Sequence, residues 1–222
     1  MDDTLYPERD FVLSGFQAVA VWAEAALGID QTEGYALLAR LFNEGVRGDT
    51  FNRWLAAWAV PEPAWALPQM VAVYREHEPE IRPFPEIPAL LAQLRHTYRL
   101  GLLSDGYLAV QQRKLAALGL AACFDVIVFS DEWGRENWKP AARPYKAVLD
   151  GLAVEAAAAV YIADNPAKDF LGARQAGMKS IRLRYREGVY ADKEASSPAY
   201  RPDCEVEDVA GLVHLFWVKC GD

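Results

Sequence analysis

The sequence predicts an α/β fold: a parallel sheet with helices on both faces, carrying an all-helical insert near its start. Three observations point there. From about residue 80 onward, short apolar runs alternate with helical segments, and each run stops at a polar cluster. No strand pattern interrupts residues 11–78, where apolar and aromatic residues recur at intervals of three to five. The period changes at residues 81–88, a connector holding three prolines. With 222 residues, 52% of them hydrophobic, the chain can bury one sizeable core, or a core domain plus a smaller insert. The expected division is residues 1–9 with 80–222 as the core domain and 10–79 as the insert.

Phe11, Phe16, Val19, Trp22 and Ala26 mark a first helix. After the break at Gly28-Ile29-Asp30, a second follows through Tyr35, Leu37, Leu38, Leu41 and Phe42. Phe51, Trp54, Leu55 and Trp58 mark a third, and Val71 to Tyr74 lie in a fourth. This Trp and Phe stripe reads as helix-packing core; a substrate-facing role for part of it is the second reading. Strands are expected at residues 100–103, 126–129, 160–163 and 180–183, with helices at 87–94, 108–118, 142–149 and 168–176. Open parallel sheets bind ligands at the carboxyl ends of their strands, where the polar clusters sit.

Composition removes several functions. Net charge is −8 and no Lys/Arg run stands out, which argues against nucleic acid or an anionic membrane as partner. No apolar run approaches the roughly 20 residues of a membrane span, and no basic-then-apolar leader opens the chain. Cys123, Cys204 and Cys220 form no C-x-x-C pair, so they read as thiols in a reducing cytoplasm. His77, His96 and His214 are too scattered for a His-based zinc site or a Ser-His-Asp triad.

The strand ends supply Asp2-Asp3-Thr4, then Ser104-Asp105-Gly106, then Lys139-Pro140, then Asp164 with Asp169 five residues on. Carboxylates without His or Cys suit a hard cation such as Mg²⁺. A hydroxyl, backbone donors and a lysine suit the equatorial oxygens of a transferring phosphoryl group. Each cluster has a plainer reading: a solvated terminus, a tight turn, a surface lysine before a proline, an N-cap. For all four to be plain, their order and placement would have to be coincidence.

The order Asp-Asp-Thr-Leu, Ser-Asp-Gly, Lys-Pro and Asp-x₄-Asp resembles the haloacid dehalogenase (HAD) superfamily of hydrolases across nearly the whole chain. The resemblance implies a Rossmann-like core with a helical (C1-type) cap inserted after the first motif. It implies a Mg²⁺-dependent phosphatase acting on a small phosphorylated metabolite through an aspartyl phosphate. Asp2 takes the second aspartate of the family's Asp-x-Asp-x-Thr, as general acid/base and, through its backbone carbonyl, a metal ligand. Ser104, Asp105 and Gly106 would bind phosphoryl oxygens. Lys139 would neutralise the nucleophile and phosphoryl group, with Lys146 the alternative because the approach to Lys139 is longer than usual. Asp164 and Asp169 would hold the metal, although Ala163 stands where the family usually has Gly. Arg47, in the loop 45–49 of the insert, is the candidate to contact substrate.

In this alignment the nucleophilic aspartate would fall immediately before Met1. The expectation is a chain cut ahead of that residue and of the central strand leading to it, with the flanking strands left unpaired and the core opened. A natural inactive relative that binds or regulates is the alternative. A register in which Asp2 itself is the nucleophile is a third reading. A response-regulator receiver would be about half this length, and a dinucleotide-binding oxidoreductase would need a G-x-G-x-x-G that is not present.

Overall fold

A computed structural model describes residues 1–217 of the chain. It divides into two compact units, Met1–Arg9 with Ile81–Asp222, and Asp10–Glu80. Cys220 lies outside the described residues.

The smaller unit is helical. It contains most of α1 (Glu8–Leu27), then α2 (Gln31–Asn43), α3 (Thr50–Ala57) and α4 (Pro63–Glu76). Asp30 caps α2 by accepting from the backbone N–H groups of Thr32 and Glu33, which satisfies two otherwise unpaired donors. Pro63 opens α4, where its fixed φ and missing N–H cost nothing. Phe11, Phe16, Leu38, Phe42, Trp54 and Leu55 are buried, so the aromatic stripe is largely core. Trp54 Nε1 donates to the Gly34 carbonyl at 2.8 Å, giving the largest buried side chain a partner for its only polar atom. Trp65, by contrast, is exposed. By length and composition α1 could cross a membrane, which its interrupted apolar pattern did not suggest. Its Phe11, Phe16, Val19, Ala20 and Ala23 face is buried in the protein.

The larger unit is α/β. In order it holds α5 (Ile87–Leu94), β1 (Gly101–Ser104), α6 (Leu108–Leu118), β2 (Val126–Phe129), α7 (Arg143–Leu152), β3 (Val160–Ala163), α8 (Asp169–Gln175), β4 (Lys179–Leu183), β5 (Cys204–Val206) and α9 (Val209–Trp217). Each anticipated strand and helix from residue 87 onward is present within three residues of its expected bounds. β5 and α9 are additional: Cys204-Glu205-Val206 has no apolar run to announce it.

Every ladder is parallel, but among the described residues the strands form two separate sheets, β1-β2 and β3-β4-β5. α7 packs on β1 and β2, and Leu103, Val128, Tyr145, Val148, Leu152 and Ala173 form a common core. Gly101 makes the close approach possible, since a Cβ there would lie 2.5 Å from Val148 Cγ1. β1 and β3 both line one cavity of about 650 Å³, walled by apolar residues of α5, α7 and α9.

Candidate active site

The clusters that end the strands are tied together by hydrogen bonds. Lys139 follows the β2 end and precedes Pro140 through a cis peptide bond. Its ammonium pairs with Asp169 Oδ1 at 2.6 Å, and its backbone N–H donates to Asp105 Oδ1 at 2.9 Å. One residue therefore joins the turn after β1 to the first turn of α8. Lys146, the alternative lysine, is exposed on α7.

Asp169 is buried and fully engaged. It also accepts from the Asn165 N–H at 3.0 Å and from Tyr161 Oη at 3.3 Å. Burial alone would raise its pKa, but Lys139, then Lys168, override that and hold it low. Burial likewise opposes the Lys139 ammonium, and Asp169 overrides it, so Lys139 stays charged. Tyr145 Oη donates to the Asp169 carbonyl at 2.6 Å. Gly172 leaves room for that ring, because a Cβ there would lie 2.3 Å from Tyr145 Cε2 and 2.6 Å from the Pro140 carbonyl oxygen.

Asp164 is the exception among the carboxylates. Its Oδ2 is buried with no hydrogen-bond partner. Burial, then Asp169 and Asp3, push its pKa well above the usual carboxylate range. An unpartnered oxygen among other carboxylates is the environment a hard cation relieves. Asp164's main-chain carbonyl accepts from Arg182 Nε at 3.0 Å, and that buried guanidinium also donates to the carbonyls of Tyr190 and Lys193. Among the described residues, no group of three or more His, Cys, Asp or Glu side chains converges as a metal site. The unpartnered Asp164 oxygen is the donor through which a hard cation such as Mg²⁺ would fit here.

Asp2 lies against α6. Its carboxylate accepts from Lys114 Nζ at 2.6 Å and from the Tyr6 hydroxyl. Burial would raise Asp2, but the Lys114 and Met1 ammonium groups override it and hold it far below the usual range. Asp3 is buried at φ 44, a left-handed conformation that Asp tolerates better than most residues. It accepts from the N–H groups of Glu8 (2.8 Å) and Val189 (2.6 Å). The Met1 α-amino group is buried, which lowers its pKa, and Asp2, Lys139, Asp164 and Asp169 are the charges around it.

Ser104 is buried at the β1 end, and its hydroxyl donates to Gln111 Oε1 at 2.8 Å. Gly106 has φ 124, and a Cβ there would lie 2.8 Å from Gln111 Nε2. Asp105 accepts from Ser130 Oγ at 2.6 Å and pairs with Lys168 at 3.4 Å, so it organises the turn. Arg47, in the helical unit, donates to the Phe42 and Val46 carbonyls and lies over the Phe42 ring at 3.8 Å.

Sequence reasoning missed Lys114, Gln111, Lys168 and Arg182. Lys114 left a trace: it interrupts the apolar stripe Val110, Lys114, Leu118 of α6 at a spacing of four. Arg182 left a fainter one, as a charge between Ile181 and Leu183 of β4.

Comparison with known proteins identifies the family. Residues 1–183 match the haloacid dehalogenase-like hydrolase family. A glyceraldehyde 3-phosphate phosphatase of Methanopyrus kandleri is 32% identical, over 93% of this chain and 90% of that protein. A phosphoserine phosphatase of Thermus thermophilus is 32% identical, over 81% of this chain and 73% of that protein. Among solved structures, a HAD hydrolase of Bacillus subtilis bound to magnesium superposes with a TM-score of 0.65 at 18% identity, covering 98% of this chain and 96% of that one. A HAD phosphatase of Thermococcus onnurineus superposes with a TM-score of 0.62 at 21% identity, covering 98% and 95%. The chain belongs to the haloacid dehalogenase-like hydrolase family.

Proposed function

We propose that this protein is a Mg²⁺-dependent phosphohydrolase acting on a small soluble phosphate monoester. The observation that carries the reading is the buried Lys139–Asp169 pair beside the unpartnered Asp164 oxygen, all at the carboxyl ends of parallel strands. Relatives named for glyceraldehyde 3-phosphate and phosphoserine support a substrate of that size.

Asp164 and the Asp2 carbonyl would hold the cation, with Asp169 assisting directly or through water. Bound there, Mg²⁺ supplies charge neutralisation for the phosphoryl group. Lys139 supplies a fixed positive charge beside it. Ser104 and the backbone of Asp105 and Gly106 donate to phosphoryl oxygens, once the Ser104 hydroxyl turns from Gln111. Asp2, kept ionised by Lys114, is set to act as the base that activates water in the second half-reaction. Protonating the leaving alcohol in the first half requires Asp2 to take up a proton as substrate enters. The aspartyl-phosphate route needs an attacking carboxylate free of such ties: Asp2 is held by Lys114, Asp3 by two backbone N–H groups and Asp169 by Lys139.

Residues 10–79 serve as a cap that selects substrate. Arg47 reaches substrate only by leaving the Phe42 and Val46 carbonyls. Cys123 and Cys204 are free thiols, which suits a reducing cytoplasm. The same commitments of Asp2, Asp3 and Asp169 favour a second reading for residues 1–222 taken alone: a phosphate- and Mg²⁺-binding protein that releases no product.

The test is phosphate release from an aryl phosphate, with Mg²⁺ or chelator. It is run on residues 1–222 and on the same chain extended at Met1 by a short apolar strand ending in Asp. Turnover by the extended chain alone, abolished by chelator, is the expected result. Turnover by residues 1–222 would make Asp2 the nucleophile. No turnover by either, with Mg²⁺ bound, would leave the binding protein.

A further inference from the structure

We propose that Arg135 is a specificity-determining residue, which takes a second anionic group of the substrate, a carboxylate or a further phosphate, beside the phosphoryl-binding residues. This rests on the phosphoryl site proposed above and adds a subsite to it. The long approach to Lys139 folds as a short 3-10 turn over Arg135–Asn137, opened by Gly134 at φ 84, where glycine is favoured. The Arg135 guanidinium lies 4.7 Å from the Tyr107 ring centroid and 5.2 Å from that of Trp138. It also donates to the Tyr107 hydroxyl. Tyr107 directly follows Gly106, and Trp138 directly precedes Lys139. Both rings therefore grow from the segments that would hold the phosphoryl group. The rings are themselves fixed: their centroids lie 5.8 Å apart, edge to face, and Trp138 Nε1 donates to Asp131 Oδ1 at 2.9 Å.

Charge decides what this guanidinium can bind. Arg135 is exposed, and among the described residues no carboxylate pairs with it. The acidic side chains nearest in its own loop are engaged elsewhere: Asp131 with Trp138 and the Leu108 N–H, Glu136 with Asn137. A guanidinium carries five donors in a planar fork. Its faces meet the rings and one donor meets Tyr107, which leaves an edge suited to carboxylate or phosphate. Because the rings hold that edge in place, little freedom is lost when an anion docks. The two rings stand at 89° to each other and offer no parallel slot for a nucleobase. Ser104 and Tyr107 are three residues apart, so their Cα atoms lie within roughly 11 Å of each other. That separation suits two anionic groups of one small metabolite.

The test is calorimetric binding to the 222-residue chain with Mg²⁺ present. Phosphoserine and phosphoethanolamine differ by one carboxylate; a propanediol bisphosphate and propyl phosphate differ by one phosphate. Inorganic phosphate, measured on every variant, reports the phosphoryl site by itself. Wild type is expected to favour the second anion in at least one pair by roughly ten-fold, the scale of one charge-assisted contact. The pair that discriminates tells carboxylate from phosphate. Arg135→Ala should lose that preference, and Arg135→Lys, which keeps the charge without the planar fork, should keep part of it. Inorganic phosphate bound with no preference in either pair would overturn the subsite alone, as would a preference that survives Arg135→Ala. Equal weakening of every ligand by Arg135→Ala would also overturn it, by making the arginine a structural part of the loop. A wild-type chain that binds no phosphate at all would overturn the phosphoryl site and the subsite together.

Discussion

Replacing Lys114 with Met tests the buried pair that fixes Asp2. The substitution keeps the length and apolar stem of the side chain and removes the ammonium 2.6 Å from Asp2 Oδ1. The Lys114 side chain is 6% exposed and that of Asp2 24%, so most of the pair's solvent is already gone. Removing one partner of a buried pair costs about 3–5 kcal/mol, because the other charge stays behind uncompensated. Asp2 retains some water, which favours the lower end, about 3 kcal/mol. For a chain of this size each kcal/mol moves melting by roughly 2–4 °C, so the variant should melt about 6–12 °C lower at pH 7. The pH dependence carries a sign. Wild-type Asp2 is held below its ordinary value, so its contribution is present above the unfolded pKa and is lost only as pH falls through the depressed folded one. In the variant, burial dominates and raises Asp2. The deficit should therefore be largest near neutrality and shrink as pH falls and Asp2 takes up a proton. Thermal melts from pH 5 to 8 measure this. A variant melting within about 2 °C of wild type at pH 7 would refute the pair, and a deficit that ignores pH would refute the charge argument.

Asp164→Asn should abolish Mg²⁺ binding by calorimetry while raising the melting point without metal by about 2–4 °C at pH 7.5, since a buried unpartnered carboxylate is lost. Burial, with Asp169 and Asp3, holds Asp164 high, so wild-type stability should rise as pH falls through its raised folded pKa toward the unfolded value, and the Asn variant should lack that rise. Lys139→Met leaves Asp169 buried without its cation and should cost about 3–5 kcal/mol, read as a lower urea midpoint at unchanged slope. Gly172→Ala places a Cβ against Tyr145 and the Pro140 carbonyl; about 1–3 kcal/mol of destabilisation is expected, and a neutral Ala would mean the α8–α7 contact is looser than it looks.

Legibility in this sequence followed burial pattern. β2, Val-Ile-Val-Phe, and β3, Val-Tyr-Ile-Ala, stood out as unbroken apolar runs that end in buried residues, Val128, Phe129 and Ala163, although Ile127 and Val160 are exposed. α5 and α6 stood out because their apolar spacing is helical and their ends are marked, α6 by Gly119 in the left-handed region. β5 escaped because a three-residue edge strand, Cys204-Glu205-Val206, needs no apolar run, and its register is set by β4 rather than by its own side chains. α4 was visible only at Val71 to Tyr74, because Pro63 and Pro68 read as breakers although one opens the helix and the other is tolerated within it. The site divides in the same way. Asp164, Asp169, Lys139 and Ser104 end strands or begin helices, so strand-end logic finds them. Lys114, Lys168 and Arg182 act by meeting partners far away in sequence: Lys114 reaches Asp2, Lys168 reaches Asp105, and Arg182 reaches the Asp164 turn. Local pattern shows such a residue only as a charge in an apolar place. That anomaly is informative because burying an ammonium or guanidinium is costly unless an acceptor waits for it. Each lone charge on an apolar stripe or strand thus says that an acceptor lies opposite, but only the fold says which one.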